Sequence, residues 1–127
     1  MMARLLLVED DINFAKTCKI QLEDEGYEVE VCHTGEEAVE LIPKEKFDLV
    51  ILDIRMPGIS GIDALEKIVK KDRSLPAIIY TAYPIYKENF LTWLADEYVV
   101  KSSDFSELKE KIHSILAKKR KKEDSKG

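Results

Sequence analysis

The chain has 127 residues, 45% of which are hydrophobic, and this is enough to build the core of one ordinary domain. Its net charge of −5 is unevenly spread: residues 1–117 hold 14 basic and 23 acidic side chains, and residues 118–127 hold six basic and two acidic ones. No long apolar stretch or signal-like N-terminus is present, so we expect a soluble, cytoplasmic protein that does not associate with membranes.

The first quarter of the chain predicts a strand, a helix and a second strand. The apolar run at residues 4–8 is the first strand, and three acidic residues at 9–11 follow it directly. Apolar residues recur at helical spacing over residues 15–22, and Gly26 closes this helix. Residues 28–32 alternate polar and apolar side chains, which is typical of a strand at the edge of a sheet.

The next segment predicts a second helix and a buried third strand. Thr34, followed three residues later by Glu37, forms a capping-box pattern, and Pro43 helps to end the helix that it begins. Residues 47–52 form an apolar run that predicts a strand buried on both faces. Asp53 follows this run, at the carboxyl edge where open α/β sheets hold their binding sites.

A third helix and a fourth strand come next. Ser60 is a good N-cap for a helix whose apolar residues repeat at helical spacing from residue 62 to residue 69. The apolar run at residues 76–80 predicts the fourth strand, which ends in Thr81.

The chain closes with a fifth strand, a helix and a basic segment. Residues 97–100 predict the strand, which ends in Lys101, and Asp104 caps a helix with one apolar face. The basic residues at 118–127 lack the interleaved aromatic residues of a platform for single-stranded nucleic acid. We therefore expect a domain at residues 1–117, followed by a disordered tail or the start of a linker, and no direct nucleic-acid binding.

Strands that alternate with helices predict an α/β fold: a doubly wound parallel sheet of five strands with five helices, in three layers. Every strand except the second delivers a polar group to one edge of this sheet. The result is a cluster of carboxylates with one hydroxyl and one ammonium, which suits a divalent cation and a phosphoryl group. The two cysteines, Cys18 and Cys32, lie in apolar patterns and are expected to be reduced core residues, and both histidines, His33 and His113, are expected on the surface.

Four motifs in order resemble the receiver domain of bacterial response regulators, over about residues 4–117. They are Val8-Glu9-Asp10, Asp53 with Met56-Pro57-Gly58 and Gly61, Thr81-Ala82, and Tyr98-Val99-Val100-Lys101. The resemblance implies a flavodoxin-like fold with strand order 2-1-3-4-5. It also implies that Asp53 accepts a phosphoryl group from a sensor histidine kinase or a histidine phosphotransfer protein. The chain would then be a signalling switch that catalyses only its own phosphorylation and dephosphorylation.

The resemblance also implies the metal site. The cofactor would be Mg²⁺, with Mn²⁺ as a possible substitute. Asp10 and Asp53 would coordinate the ion directly, Glu9 would act through a water molecule, and the backbone carbonyl of Arg55 would add a ligand. Asp11 lies at a neighbouring position that is often acidic, but an N-cap of the first helix is the stronger interpretation of this residue.

A conformational switch follows from the same resemblance. Thr81 and Lys101 would contact the phosphoryl group, and Tyr98 would move inward on activation. The surface formed by the fourth helix, the fifth strand and the fifth helix would then change shape and signal to a downstream protein or output domain. The switch would act as a monomer or as a phosphorylation-dependent dimer.

Two departures from the family pattern concern the segment around Lys101. Ser102 follows this lysine where many relatives have a proline after a cis peptide bond, and since a cis bond before serine costs about 3 kcal/mol, we expect a trans bond. The interval from Thr81 to Lys101 is 20 positions, shorter than in many receivers, so the fourth helix is expected to be short or irregular. The aromatic residues at 83–94, including Trp93, could form a partner surface or local core, and the sequence favours neither.

Three alternative functions compete with this interpretation. A phosphatase of the haloacid dehalogenase type needs a second aspartate two residues after the first, where this chain has Arg55. A flavodoxin-like cofactor binder needs a phosphate-cradling loop after the first strand, where this chain has three acidic residues. A receiver-like adaptor that is never phosphorylated is the remaining alternative.

Overall fold

The structure is a computed structural model that describes residues 2–55, 60–82 and 94–126. Its centre is one parallel sheet of five strands in the predicted order β2-β1-β3-β4-β5. The strands are β1 (Arg4–Val8), β2 (Glu28–Cys32), β3 (Leu49–Leu52), β4 (Ala77–Thr81) and β5 (Glu97–Val100). Strand β3 begins two residues later than predicted. At the preceding Asp48, the backbone amide donates to the Arg4 carbonyl, whereas the Arg4 amide donates to the Asp48 carboxylate, each at 2.7 Å.

The strand register brings four strand ends to one edge of the sheet. Val8 pairs with Leu52, Leu52 with Ile79, and Thr81 with Val100. Because all these pairs are parallel, the segments that follow β1, β3, β4 and β5 emerge on the same side. This edge is where the sequence placed the cluster of polar groups.

Four helices lie within the described residues. They are α1 (Ile12–Glu23), α2 (Gly35–Leu41), α3 (Gly61–Lys71) and α4 (Ser106–Lys126). The predicted N-caps of the first three are confirmed, since the side chains of Asp11, Thr34 and Ser60 each accept a hydrogen bond from a backbone amide three residues later. The helix predicted between β4 and β5 falls on residues 83–93, which lie outside the described part of the chain.

The helices cover both faces of the sheet, so the predicted three layers are confirmed. Helices α2 and α3 pack on one face through residues such as Ala38, Leu65 and Ile68. Helices α1 and α4 pack on the other face through residues such as Leu22 and Ile112. Every side chain of β3 and β4 is buried, because both strands lie between two helical layers.

The core also contains both cysteines. Cys18 and Cys32 are free and buried, as predicted. In the part of the chain that the structure describes, all peptide bonds are trans, which agrees with the expectation for the bond before Ser102. Among the same residues, no helix is long and apolar enough to cross a membrane.

The segment from residue 118, expected to be a disordered tail or the start of a linker, continues the backbone of α4, which is helical to Lys126. The segment contains lysine and arginine, which are good helix formers, and neither proline nor glycine interrupts it before its last residue. The ammonium of Lys119 also lies 3.9 Å from the Asp48 carboxylate, which ties this part of the helix to the start of β3.

Candidate functional site

The acidic residues that follow β1 and β3 lie together at the carboxyl edge of the sheet. One carboxylate oxygen from each of Glu9, Asp10 and Asp53 lies within 4.8 Å of the others. Asp10 is exposed, whereas the side chains of Glu9 and Asp53 are only 2% and 7% exposed. The amide of Asp11 donates to Oε2 of Glu9, and the amide of Arg55 donates to Oδ1 of Asp53, each at 3.1 Å. The backbone of both loops therefore holds the buried carboxylates in place.

Lys101, at the end of β5, completes the cluster. Its ammonium lies 2.8 Å from Oδ2 of Asp53 and also contacts Oε1 of Glu9. The lysine side chain is 15% exposed, so this contact is largely shielded from water. The cluster holds three carboxylates and one ammonium, so it keeps an excess of negative charge.

Burial and pairing act on the pKa values of this cluster in opposite directions. Burial raises the pKa of Glu9, and the hydrogen bond from Lys101 offsets only part of the rise. Burial lowers the pKa of Lys101, but its hydrogen bonds with Asp53 and Glu9 outweigh that effect and leave the pKa raised. The ammonium therefore stays charged, while one ammonium does not fully compensate the buried carboxylates.

The carboxylate cluster fits a magnesium ion. Mg²⁺ takes hard oxygen ligands in an octahedron and usually retains several water molecules, so a few carboxylates are sufficient. Glu9, Asp10 and Asp53 supply such oxygens, and Asp10 keeps the cluster open to solvent. A divalent cation would also neutralise the excess negative charge.

Thr81 and Tyr98, the two predicted switch residues, lie on neighbouring strands. Thr81 is buried at the end of β4, two positions beyond Ile79, and is therefore at the same edge as Asp53. Its carbonyl accepts a hydrogen bond of 2.7 Å from the Lys101 amide, which joins the ends of β4 and β5. Tyr98 is half-buried and packs against the core on the α2 and α3 side of the sheet. Thr81 thus lies at the cluster edge, and Tyr98 lies on one face of the sheet.

Gly61 brings the start of α3 against the backbone that carries Asp53. A Cβ atom at position 61 would lie 2.0 Å from the Asp53 carbonyl oxygen and 2.4 Å from the Cα of Ile54. The Gly61 amide donates to the Ile54 carbonyl at 3.0 Å. The sequence identified Gly61 only as part of a motif, whereas the structure gives the reason, a backbone contact that leaves no space for a side chain.

The contact between Lys101 and Phe14 was not predicted from the sequence. The lysine ammonium lies 4.5 Å from the centroid of the Phe14 ring. The available signal was the position of Phe14 in the first turn of the helix that begins at the acidic triplet. The expected surface position of His33 is corrected as well, since it is partly buried and its Nδ1 lies 2.8 Å from the Glu9 carbonyl oxygen. Both contacts join segments that are distant in the chain.

The motif residues at 56–58 lie outside the described part of the chain, as does Trp93. The side chain of Arg55 is exposed.

Comparison with known proteins identifies the family. The response regulator receiver domain matches residues 5–113. The chain belongs to this family.

Solved structures of other receiver domains share this fold. TrrA from Thermotoga maritima, in complex with Mg²⁺ and beryllium fluoride, is 46% identical with a TM-score of 0.88, over 90% of this chain and 99% of that chain. A complex of TrrA with the histidine kinase ThkA matches with 46% identity and a TM-score of 0.86, over 91% of this chain and 99% of that one. A CheY-like receiver domain from Methanospirillum hungatei is 33% identical with a TM-score of 0.90, over 96% and 99% of the two chains.

Curated relatives of the receiver domain are longer proteins. The transcriptional regulatory protein YkoG of Bacillus subtilis is 34% identical over 115 residues, which are 88% of this chain and 50% of YkoG. The response regulator ArlR of Staphylococcus aureus is 33% identical over 124 residues, which are 96% of this chain and 56% of ArlR. The chain spans about half the length of these relatives.

Proposed function

We propose that this receiver domain accepts a phosphoryl group on Asp53 and converts that modification into a change of surface shape. The observation that carries the proposal is the Asp53 carboxylate itself, buried at the carboxyl edge of the sheet with the Lys101 ammonium 2.8 Å away. A charged side chain buried at this edge of the sheet calls for a functional explanation. Its surroundings suit the transfer of a phosphoryl group, which depends mostly on positioning and on neutralising charge.

The proposed donor is a phosphohistidine of a sensor histidine kinase or of a histidine phosphotransfer protein. An oxygen of Asp53 attacks the phosphorus, and the new O–P bond forms as the N–P bond breaks. The electron pair of the broken bond returns to the imidazole nitrogen, which takes up a proton. The complex of TrrA with the histidine kinase ThkA supports a kinase as the partner.

Dephosphorylation reverses the modification without a second protein. Water attacks the phosphorus, the O–P bond to Asp53 breaks, and its electron pair restores the carboxylate while inorganic phosphate leaves. The domain is thus a signalling phospho-acceptor that catalyses these two reactions of its own side chain.

The proposed metal site consists of Glu9, Asp10, Asp53 and the carbonyl oxygen of Arg55. A bound Mg²⁺ supplies positive charge to the oxygens of the transferring group, as does the ammonium of Lys101. The Mg²⁺ and beryllium fluoride in the TrrA structure support this ion. Mn²⁺ accepts the same oxygen ligands and is the proposed substitute.

The proposed output begins at Thr81, whose hydroxyl donates to a phosphoryl oxygen. Because the Thr81 carbonyl is bonded to the Lys101 amide, a shift at either residue is passed to the ends of both β4 and β5. Tyr98 on β5 then moves inward, which changes the surface formed by the segment between β4 and β5, by β5 and by α4. This is a shift between two packings of the same chain.

The changed surface is proposed to signal to a downstream protein or an output domain in the cytoplasm. The greater length of the curated relatives supports an output domain as one such partner. The domain acts as a monomer or as a dimer that forms on phosphorylation.

The test is the intact mass of the protein after incubation with acetyl phosphate and Mg²⁺. We expect wild type to gain one phosphoryl group and Asp53→Asn to gain none. Asp24→Asn, a change at an exposed aspartate after α1, serves as the matched control and is expected to behave as wild type. If the wild-type protein gains no phosphoryl group in the presence of Mg²⁺, the proposal is contradicted, and an adaptor that is never phosphorylated is favoured.

A further inference from the structure

The ammonium of Lys101 is bounded by two kinds of group. Carboxylate oxygens of Asp53 and Glu9 contact it, and the ring of Phe14 lies over it at 4.5 Å. The carboxylates attract the ammonium, and the ring excludes water from a further side of it. A lysine ammonium at this distance from an aromatic face is also attracted by the electrons of the ring.

The Phe14 ring is itself held in place by its neighbours. Its centroid lies 5.8 Å from the rings of both Tyr80 and Phe105, at distances typical of packed aromatic pairs. Its backbone amide donates to Oδ1 of Asp11 at 3.0 Å, which fixes the first turn of α1. The ring therefore offers a rigid surface, built from α1, β4 and the segment before α4.

A rigid surface matters because lysine has a flexible stem of four carbons and its ammonium has no preferred direction. When Asp53 carries a phosphoryl group, the ammonium must leave its contact with the free carboxylate and meet the new oxygens. The attraction between the ammonium and the Phe14 ring does not depend on whether Asp53 is phosphorylated. It therefore persists while the contact with the carboxylate is replaced by a contact with the phosphoryl group.

We infer that Phe14 is a positioning residue, whose ring holds the Lys101 ammonium where it meets the phosphoryl group on Asp53. The inference rests on the proposed function and adds a residue to it. The Phe14 ring meets the site through the Lys101 ammonium.

The first experiment measures the affinity for beryllium fluoride, a phosphoryl mimic, in saturating Mg²⁺. Phe14→Leu and Phe14→Met remove the ring and keep an apolar side chain, and we expect each to weaken binding about threefold to tenfold. Phe14→Tyr keeps the ring and is expected to stay within about twofold of wild type. Two ring-free variants are used so that, if circular dichroism shows that one of them does not fold, the other still tests the inference.

The same measurement in a Lys101→Met background separates positioning from general packing. Once the ammonium is gone, Phe14→Leu should cause no further loss of affinity. Equal losses in both backgrounds would overturn the inference, as would a Phe14→Leu variant that binds as well as wild type. A wild type that binds no beryllium fluoride would instead overturn the proposed function, and the inference with it.

The second experiment needs neither metal nor phosphoryl mimic. In a proton NMR spectrum, the Phe14 ring should shift the resonances of the Lys101 ε-methylene group to low frequency, and their absence from Lys101→Met assigns them. The shift is expected to vanish in Phe14→Leu and to remain in Phe14→Tyr. Unshifted resonances in wild type would show that the ammonium does not rest on the ring and would overturn the inference.

Discussion

The ammonium of Lys101 lies 2.8 Å from Oδ2 of Asp53, although 48 positions separate the two residues in the chain. The same ammonium contacts Glu9, so one cation serves two buried carboxylates. Removing this ammonium leaves both carboxylates without that partner, and the cost of an unpaired buried charge is a substantial fraction of the stability of a domain.

We therefore predict that Lys101→Met lowers the free energy of unfolding by about 1 to 3 kcal/mol in the absence of metal. Mg²⁺ should restore more stability to the variant than it adds to wild type, because the variant has more uncompensated negative charge. Urea unfolding with and without Mg²⁺ measures both effects. Lys111→Met is the control, since its ammonium pairs with Glu97 at the surface, and we expect a change of less than about 1 kcal/mol. A Lys101→Met variant as stable as wild type without metal would contradict the prediction.

Gly61→Ala tests the close contact between α3 and the backbone of Asp53. The added methyl group would overlap the Asp53 carbonyl oxygen, so the backbone must shift, at a cost of about 1 to 3 kcal/mol. We also expect slower phosphorylation, because the shift moves Asp53. Gly26→Ala is the matched control: its cost comes only from a φ of +92°, with open space around the site, so phosphorylation should keep its wild-type rate. Urea unfolding and intact mass report the two quantities, and equal phosphorylation rates in the two variants would argue against the contact.

Tyr80→Phe removes a buried hydroxyl for which the described part of the chain provides no hydrogen-bond partner. Because the ring contacts with Phe14 and Phe105 are kept, stability should be unchanged or slightly higher. Tyr80→Leu also loses those ring contacts and should cost about 1 to 3 kcal/mol. Thermal unfolding of the two variants separates the contribution of the ring to stability from that of the hydroxyl. A marked loss of stability in Tyr80→Phe would show that the hydroxyl forms a hydrogen bond.

Because both cysteines are buried, we expect the stability of the protein to decline at high pH. Burial raises the pKa of Cys18 and of Cys32 from about 9 to about 12, and nearby carboxylates add to the rise. Between these values the unfolded chain loses its thiol protons before the folded chain does, so the free energy of unfolding should fall as pH rises from 9 towards 12. A Cys18→Ala, Cys32→Ala double variant should show a shallower fall.

Reaction with a thiol reagent at pH 8 provides a direct check of the same burial. We expect both thiols to react rapidly in urea and slowly in buffer. Rapid reaction of the native protein would contradict the raised pKa values.

Much of the fold could be predicted because its signals are local. The apolar runs and the turn residues around them indicated all five strands, and β1, β2 and β5 have the predicted limits. The caps Asp11, Thr34 and Ser60 were predicted for the same reason, since a cap depends on a residue and its next three neighbours. The strand order and the roles of Asp53 and its partners came from the family resemblance, because spacing along the chain does not specify them.

The contacts that were missed depend on side-chain direction across the folded chain. Phe14 could equally have been assigned to the core, and no local pattern places its ring over Lys101, 87 positions later. His33 was expected at the surface because it follows an edge strand, yet its ring contacts the loop after β1. Residues 118–122 continue the last helix, as the sequence indicated, and lysine and arginine are favourable in helices.

The ion pair between Lys101 and Glu9 joins positions separated by almost the whole domain. Closing a loop this long costs entropy, and contacts between such distant positions slow folding. No fragment that lacks β1 or β5 contains the complete cluster. If the proposed function holds, a chain still emerging from the ribosome would not be phosphorylated until its last strand has docked. The amount of phosphate incorporated would then report only the molecules that have finished folding.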